Sequence, residues 1–159
     1  MNREIKFRGK DIKTGKWVYG FYYEVPVSGE KANIGYIIKE ITTVEKGFNK
    51  TFHQLSVIEV DINSVGSYTG MKDVKGQEIY ENDILKFTQL YNISYDTSDD
   101  IETKEFYTDI KWEEGCFWIK DDGDDDYRDF LGAFIGDVYP LTDIEVVGNI
   151  HDNPELLEG

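Results

Sequence analysis

Ile5 and Phe7 alternate with charged residues in the opening segment R-E-I-K-F-R, Arg3 to Arg8. A period of two marks a half-buried strand. The segment D-I-K-T-G-K, Asp11 to Lys16, is a turn in which Gly15 can take a positive φ. W-V-Y-G-F-Y-Y-E-V, Trp17 to Val25, is too aromatic and too short for a comfortable helix, and Gly20 would weaken one. It is predicted as the second strand of a hairpin, with Trp17, Tyr19 and Phe21 on one face and Val18 and Tyr22 on the other. Ser28–Asn33 is a polar loop. Ile34–Ile41 is a strand with Ile34, Tyr36 and Ile38 on one side.

Residues 45–54 fit neither period, and Leu55–Val60 is a short strand with either face free to point inward. Asp73-Val74-Lys75-Gly76 has Asp first and Gly last, as a type I turn prefers. Gln77–Tyr80 follows, then a polar turn at Glu81-Asn82-Asp83 and a strand over Ile84–Leu90. Asn92–Asp100 is a polar loop tip. From Thr103 to Trp112, Phe106, Thr108, Ile110 and Trp112 share one face, opposite Tyr107, Asp109 and Lys111. Glu113-Glu114-Gly115 turns the chain, and Cys116–Lys120 returns as a hairpin partner. Asp129–Ile135 is apolar and too short to classify. Ile144–Ile150 is the last strand, followed by a helical turn with Asn153 as N-cap and Pro154 at its first position.

This pattern predicts eight or nine short strands, little helix and a mainly β fold, α+β at most, in which a sheet closes on itself or two sheets pack. Aromatics make up 14% of the chain, which suits a pleated, half-buried surface. With 159 residues, one domain is expected. It divides into an N-terminal antiparallel β-meander over 1–62 and a small barrel over 63–159.

The net charge of −15 is unevenly spread. Residues 1–50 hold 10 Lys/Arg against 6 Asp/Glu, whereas residues 92–130 are net −10 and residues 131–159 net −6. Such a chain repels nucleic acid unless its basic N-terminal part forms a separate patch. No run of about 20 apolar residues is present and no leader pattern follows Met1, so no membrane association is expected. The single cysteine, Cys116, cannot make an internal disulfide, so a cytoplasmic location is expected.

Candidate chemistry is sparse. Asp121, Asp122, Asp124, Asp125 and Asp126 suggest Ca²⁺, but an EF-hand register begun at Asp122 puts Tyr127 at position six and Ala133 at position twelve. A solvated loop is expected. His53 and His151 have no neighbours at metal-ligand spacing, and Cys116, beside Phe117 and Trp118, is expected to be a buried, inert thiol. Gly66, Gly70 and Gly76 match no phosphate-binding loop. Asp73 and Asp83 are explained as turn residues. No catalytic residue, metal or cofactor is therefore expected.

The aromatic run Trp17, Tyr19, Phe21, Tyr22 and Tyr23 lies near Arg3, Lys6, Arg8, Lys10, Lys13 and Lys16. Aromatics with cations can hold single-stranded nucleic acid. The overall charge favours one buried face and one face for self-association or a protein partner. Tyr68, Tyr80 and the five aspartates of the 121–126 loop complete the candidate interaction surface.

Three stretches together resemble the YopX family: Arg3-Glu4-Ile5-Lys6-Phe7-Arg8 with the following turn and aromatic strand; Tyr68-Thr69-Gly70-Met71-Lys72-Asp73 with Gly76, Glu78-Ile79-Tyr80-Glu81 and Asp83-Ile84; and Glu145-Val146-Val147-Gly148-Asn149-Ile150-His151-Asp152-Asn153-Pro154-Glu155-Leu156-Leu157. The resemblance implies a mainly β protein with an SH3-like barrel component, encoded by phages or prophages, with no enzyme activity. The expected function is a non-enzymatic accessory protein that binds a protein or self-assembles. The alternatives are an acidic decoy that imitates DNA and a small enzyme with a cryptic site.

Overall fold

The computed structural model describes residues 4–27, 33–45, 50–92, 101–120, 128–131 and 143–158. Among the described residues there are eleven strands and a 3₁₀ helix. The fold is mainly β. The chain forms two compact units, Met1–Tyr68 and Thr69–Gly159. The division falls inside a continuous strand, where the sequence pattern put it at 62–63.

The N-terminal unit holds β1 (Phe7–Asp11), β2 (Trp17–Val25), β3 (Ile34–Glu45) and most of β4 (Lys50–Lys72). The hairpin turn forms because Asp11 collects its donors. Asp11 Oδ1 accepts from the Lys13 N–H and Oδ2 from the Thr14 hydroxyl, each at 2.8 Å. Gly15 supplies a φ of 67°. β1 pairs with β2, β2 with β3 and β3 with β4. The expected meander goes further, because β4 also pairs with β1, from Phe7–Ser67 to Asp11–Val60. These four strands form a closed ring of ladders, which removes free edges where the ladders run.

Two local features let so few strands close. The β1–β4 register shifts between Arg8–Gly66 and Lys10–Asp61, a bulge that bends β4. Ser64 holds that bulge: its buried hydroxyl accepts from the Lys10 N–H at 2.8 Å and donates to the Asp61 carbonyl at 2.6 Å. On β2, Gly20 lies so close to the Ile38 carbonyl oxygen that a Cβ there would collide with it. Among the described residues, Ile37, Val60 and Tyr68 are the buried apolar residues of this unit.

The C-terminal unit begins with the last residues of β4 and continues through β5 (Glu78–Tyr80), β6 (Asp83–Asn92), β7 (Ile101–Asp109), β8 (Lys111–Glu113), β9 (Cys116–Lys120), β10 (Arg128–Phe130) and β11 (Asp143–Asn149). β5 pairs with β4, and two three-stranded sheets follow, ordered β10-β9-β8 and β11-β6-β7. The ladders β1–β2, β1–β4, β2–β3, β3–β4, β6–β7, β6–β11, β8–β9 and β9–β10 are all antiparallel. Among the described residues no ladder joins these sheets into one closed barrel. Ile79, Leu85, Phe87, Phe106, Ile110, Phe117, Ile119, Leu131 and Ile144 form one core, with Met71 and Val146 packed on it.

The turns around this core fall where the sequence pattern puts them. Gly76 donates to the Asp73 carbonyl at 2.9 Å, and Glu114 and Gly115 both have positive φ, as a two-residue I′ hairpin requires. Two expectations change. Trp112 does not continue the inward face of Phe106, Thr108 and Ile110, because the strand breaks at Ile110; Trp112 is exposed and meets Phe117 edge to face, with ring centres 4.6 Å apart. Asn153 precedes the 3₁₀ helix Pro154–Leu157, but its side chain does not cap it. That side chain instead occupies the space a Cβ on Gly148 would need.

Candidate functional site

Strand parity on β2 produces the site. Gly20 and Tyr22 point to the crowded side, so Tyr19, Phe21 and Tyr23 point outward, and all three are exposed. Phe21 sits opposite Ile38, and Ile38 opposite Val57, so the three form one cross-strand row. Tyr23 sits opposite Tyr36 in the adjacent row. Phe21 is 63% exposed and Leu55, on the outward parity of β4, is 66% exposed. The result is a sheet face of aromatic and aliphatic side chains turned to solvent.

One flank of this face carries basic side chains, of which Arg8 is buried, and the exposed Asp61 lies opposite Lys10. Arg8 lies opposite Tyr19 and Lys10 opposite Trp17. The Arg8 guanidinium stands 4.6 Å from the Trp17 ring centre, the Lys10 ammonium 5.4 Å from the same centre, and the Lys6 ammonium 5.9 Å from that of Tyr19. Each is within the range of a cation–π contact. Behind the face, the Tyr22 hydroxyl donates to Glu24 Oε2 at 2.9 Å. Burial, and secondarily Glu24, push the Tyr22 phenol up to about 12. Hydrogen bonds from Asn33 and then Tyr22 hold the Glu24 carboxylate below its ordinary value.

The other sequence candidates fare differently. Tyr68 and Tyr80 are 7% and 2% exposed, so neither contributes to a contact surface. Tyr68 is held by its N–H to the Lys6 carbonyl, and the Tyr80 hydroxyl donates to Glu78 Oε2 at 2.7 Å. Asp121, Asp122, Asp124, Asp125 and Asp126 lie outside the described residues, as does most of the 92–100 loop. Cys116 is exposed, not buried, because its strand neighbours Phe117 and Ile119 take the inward parity. Among the described residues, no group of three or more His, Cys, Asp or Glu could hold a metal ion.

Leu55, Val57, Tyr36 and Ile38 were not singled out from the sequence as site residues. The alternation of 55–60 carries the signal, but only the register with β3 selects the outward set. The polar residues of the resemblance stretches have structural partners instead. Thr69 Oγ1 donates to the Ile79 carbonyl, Asp83 Oδ2 accepts from the Tyr80 N–H, and Asn149 Oδ1 accepts from the N–H groups of His151 and Asp152.

Comparison with curated proteins gives no match. Among solved structures, the protein EF1440 from Enterococcus faecalis is similar at 20% identity over 98% of this chain and 99% of its own, with a TM-score of 0.49. The family model described as YopX protein matches residues 6–158, nearly the whole length, and the chain belongs to the YopX family.

Proposed function

We propose that this YopX-family chain is a non-enzymatic accessory protein of a phage or prophage, acting in the host cytoplasm by binding a protein through the outer face of its N-terminal unit. One observation carries the reading. The Phe21–Ile38–Val57 row and its neighbours Tyr23 and Leu55 turn contiguous apolar side chains to water. Clustered exposed apolar residues mark interaction sites, whereas scattered ones are ordinary. Aromatic anchors of this kind also dominate binding energy at protein interfaces.

The test is a photo-crosslinking residue placed at Phe21 in cells that carry the gene. The captured protein is then purified and its affinity measured for the wild-type chain and for Phe21→Glu and Val57→Glu. A loss of about 30-fold or more in each variant is expected, the scale of a hot-spot residue. Equal affinity in all three would overturn the reading.

A further inference from the structure

We propose that the occupant of this face is a second copy of the chain, two N-terminal units packing face to face about a two-fold axis that runs along β3; the proposal names the partner for the reading given above and rests on it. The first reason is shape. β2 and β4 both run antiparallel to β3, so they share a direction and present matching positions on either side of it. β2 contributes the rings of Phe21 and Tyr23, whereas β4 contributes the smaller Val57 and, opposite Tyr36, Glu59. Each outward row is thick at its β2 end and thin at its β4 end. Rotation about an axis along β3 reverses that order in the second copy. It lays Phe21 of each copy over Val57 of the other and sets Ile38 against Ile38. It also places Tyr23 over Glu59, a phenol donor against a carboxylate acceptor. Aligned sheets stay within about 30° of one another and about 10 Å apart, which keeps these partners in reach.

The second reason is area. Phe21, Tyr23, Leu55 and Val57 are between 58% and 66% exposed. At roughly 150–250 Å² for a whole side chain of this size, they offer about 500 Å² per copy. Two copies would cover about 1,000 Å² of apolar surface, the level at which a specific interface begins. The third reason is the ring of ladders from β1 to β4 and back to β1, which leaves no open edge where it runs and gives association to the face. Charge sets the conditions. The face selects no single sign of partner, since Asp61 stands opposite Lys10 and Glu59 opposite Tyr36. Residues 1–68 carry 10 Lys/Arg and 8 Asp/Glu, and residues 69–159 carry 7 and 24. The repulsion between two chains at −15 therefore arises in the part that makes no contact, and it is screened over about 8 Å at physiological salt. Within the face, the register puts Glu40 opposite Leu55, so an axis along β3 brings the Glu40 positions of the two copies together. Both repulsions make added salt strengthen the dimer.

The test is sedimentation equilibrium of the full chain, from micromolar to several hundred micromolar, at about 0.05 M and about 0.5 M NaCl. A monomer–dimer equilibrium is expected, at least tenfold tighter at the higher salt, and this measurement needs no variant to fold. Phe21→Val and Val57→Phe should each weaken the dimer at least tenfold, the first leaving thin against thin and the second ring against ring. The double variant, Phe21→Val with Val57→Phe, should restore wild-type association, because it reverses the wedge in both copies at once. Glu40→Gln should tighten the dimer. A monomer at every concentration and both salts would overturn the proposal, as would a dimer weakened by salt. So would a dimer indifferent to the two single variants, a double variant that associates no better than either, or a Glu40→Gln dimer weaker than wild type. A monomeric chain whose Phe21 crosslinks to a different protein would end the proposal and leave the docking face standing. A monomeric chain that crosslinks to nothing would end both.

Discussion

Asp73 Oδ2 accepts the Val146 N–H of β11 at 3.2 Å, joining a turn and a strand that lie far apart in sequence. Its other carboxylate oxygen accepts from the N–H groups of Lys75 at 2.9 Å and Gln77 at 2.8 Å. One buried side chain therefore shapes the turn before β5 and fastens it to β11. A second bond runs the same way, from the Val74 N–H to the Ile144 carbonyl at 3.1 Å.

Asp73→Ala should destabilise the C-terminal unit by about 3 kcal/mol, since it strands backbone donors in a buried setting. Asp73→Asn should cost about half as much. Its amide oxygen can still serve Lys75 and Gln77, but its amino group would meet the Val146 N–H donor to donor. Urea denaturation followed by tryptophan fluorescence measures both. A change below about 0.5 kcal/mol for Asp73→Ala would show that the turn is not anchored in this way.

Tyr22 sets an alkaline limit for the N-terminal unit. Its phenol is raised from the ordinary 10.0 to about 12, first by burial and then by its bond to Glu24. A group whose folded value is raised contributes stability that is complete below its unfolded value and is lost as pH climbs through the folded value. The loss therefore falls between pH 10 and about 12. Titration at 295 nm should show an ionisation near the top of that window that is missing in Tyr22→Phe. Glu24→Gln should bring it part of the way down and no further, because burial remains. A Tyr22 ionisation at the ordinary value would contradict the hydrogen bond.

Period-two alternation revealed most strands because it reports each residue's own face. Trp17 to Val25 and Ile34 to Ile41 were legible in this way, as were the Gly-containing turns at Gly15, Gly76 and Gly115. Register is a relation between segments, and alternation does not encode it. That is why the closing β1–β4 ladder was not foreseen, and why Leu55 and Val57 were not recognised as neighbours of Phe21. Aromatic content misled at Tyr68 and Tyr80: a tyrosine can lie in a protein interior when its polar groups find partners there, as the Tyr80 hydroxyl does with Glu78. Trp112 misled for another reason, since a break at Ile110 resets parity and leaves the pattern intact on paper.

Gly20 is required by space, not by backbone freedom. A methyl there would run into the Ile38 carbonyl oxygen and the Ile37 side chain, neither of which has room to yield inside a closed ring. Gly20→Ala should cost about 3 kcal/mol or more, as overpacking does. Gly15 is the contrasting case, with φ at +67° and open space around its Cα. Gly15→Ala should cost only about 1 kcal/mol, from backbone conformation alone. Comparable losses in the two variants, read from thermal unfolding, would mean that close strand approach is not what selects glycine on β2.

Phe21 and Ile37 test which face of the N-terminal sheet is structural. Ile37 is fully buried, at 0% exposure, while Phe21 projects from the other side. Ile37→Ala removes buried methylenes and opens a cavity, for a loss of about 2–5 kcal/mol. Phe21→Ser removes a larger side chain, yet it strips little buried contact and should change stability by less than about 0.5 kcal/mol. The same variant should lower retention on a mild hydrophobic-interaction column, because it deletes the aromatic end of the exposed row. If Phe21→Ser instead unfolds the unit as severely as Ile37→Ala, the ring serves stability and the outer face is not held ready for a partner.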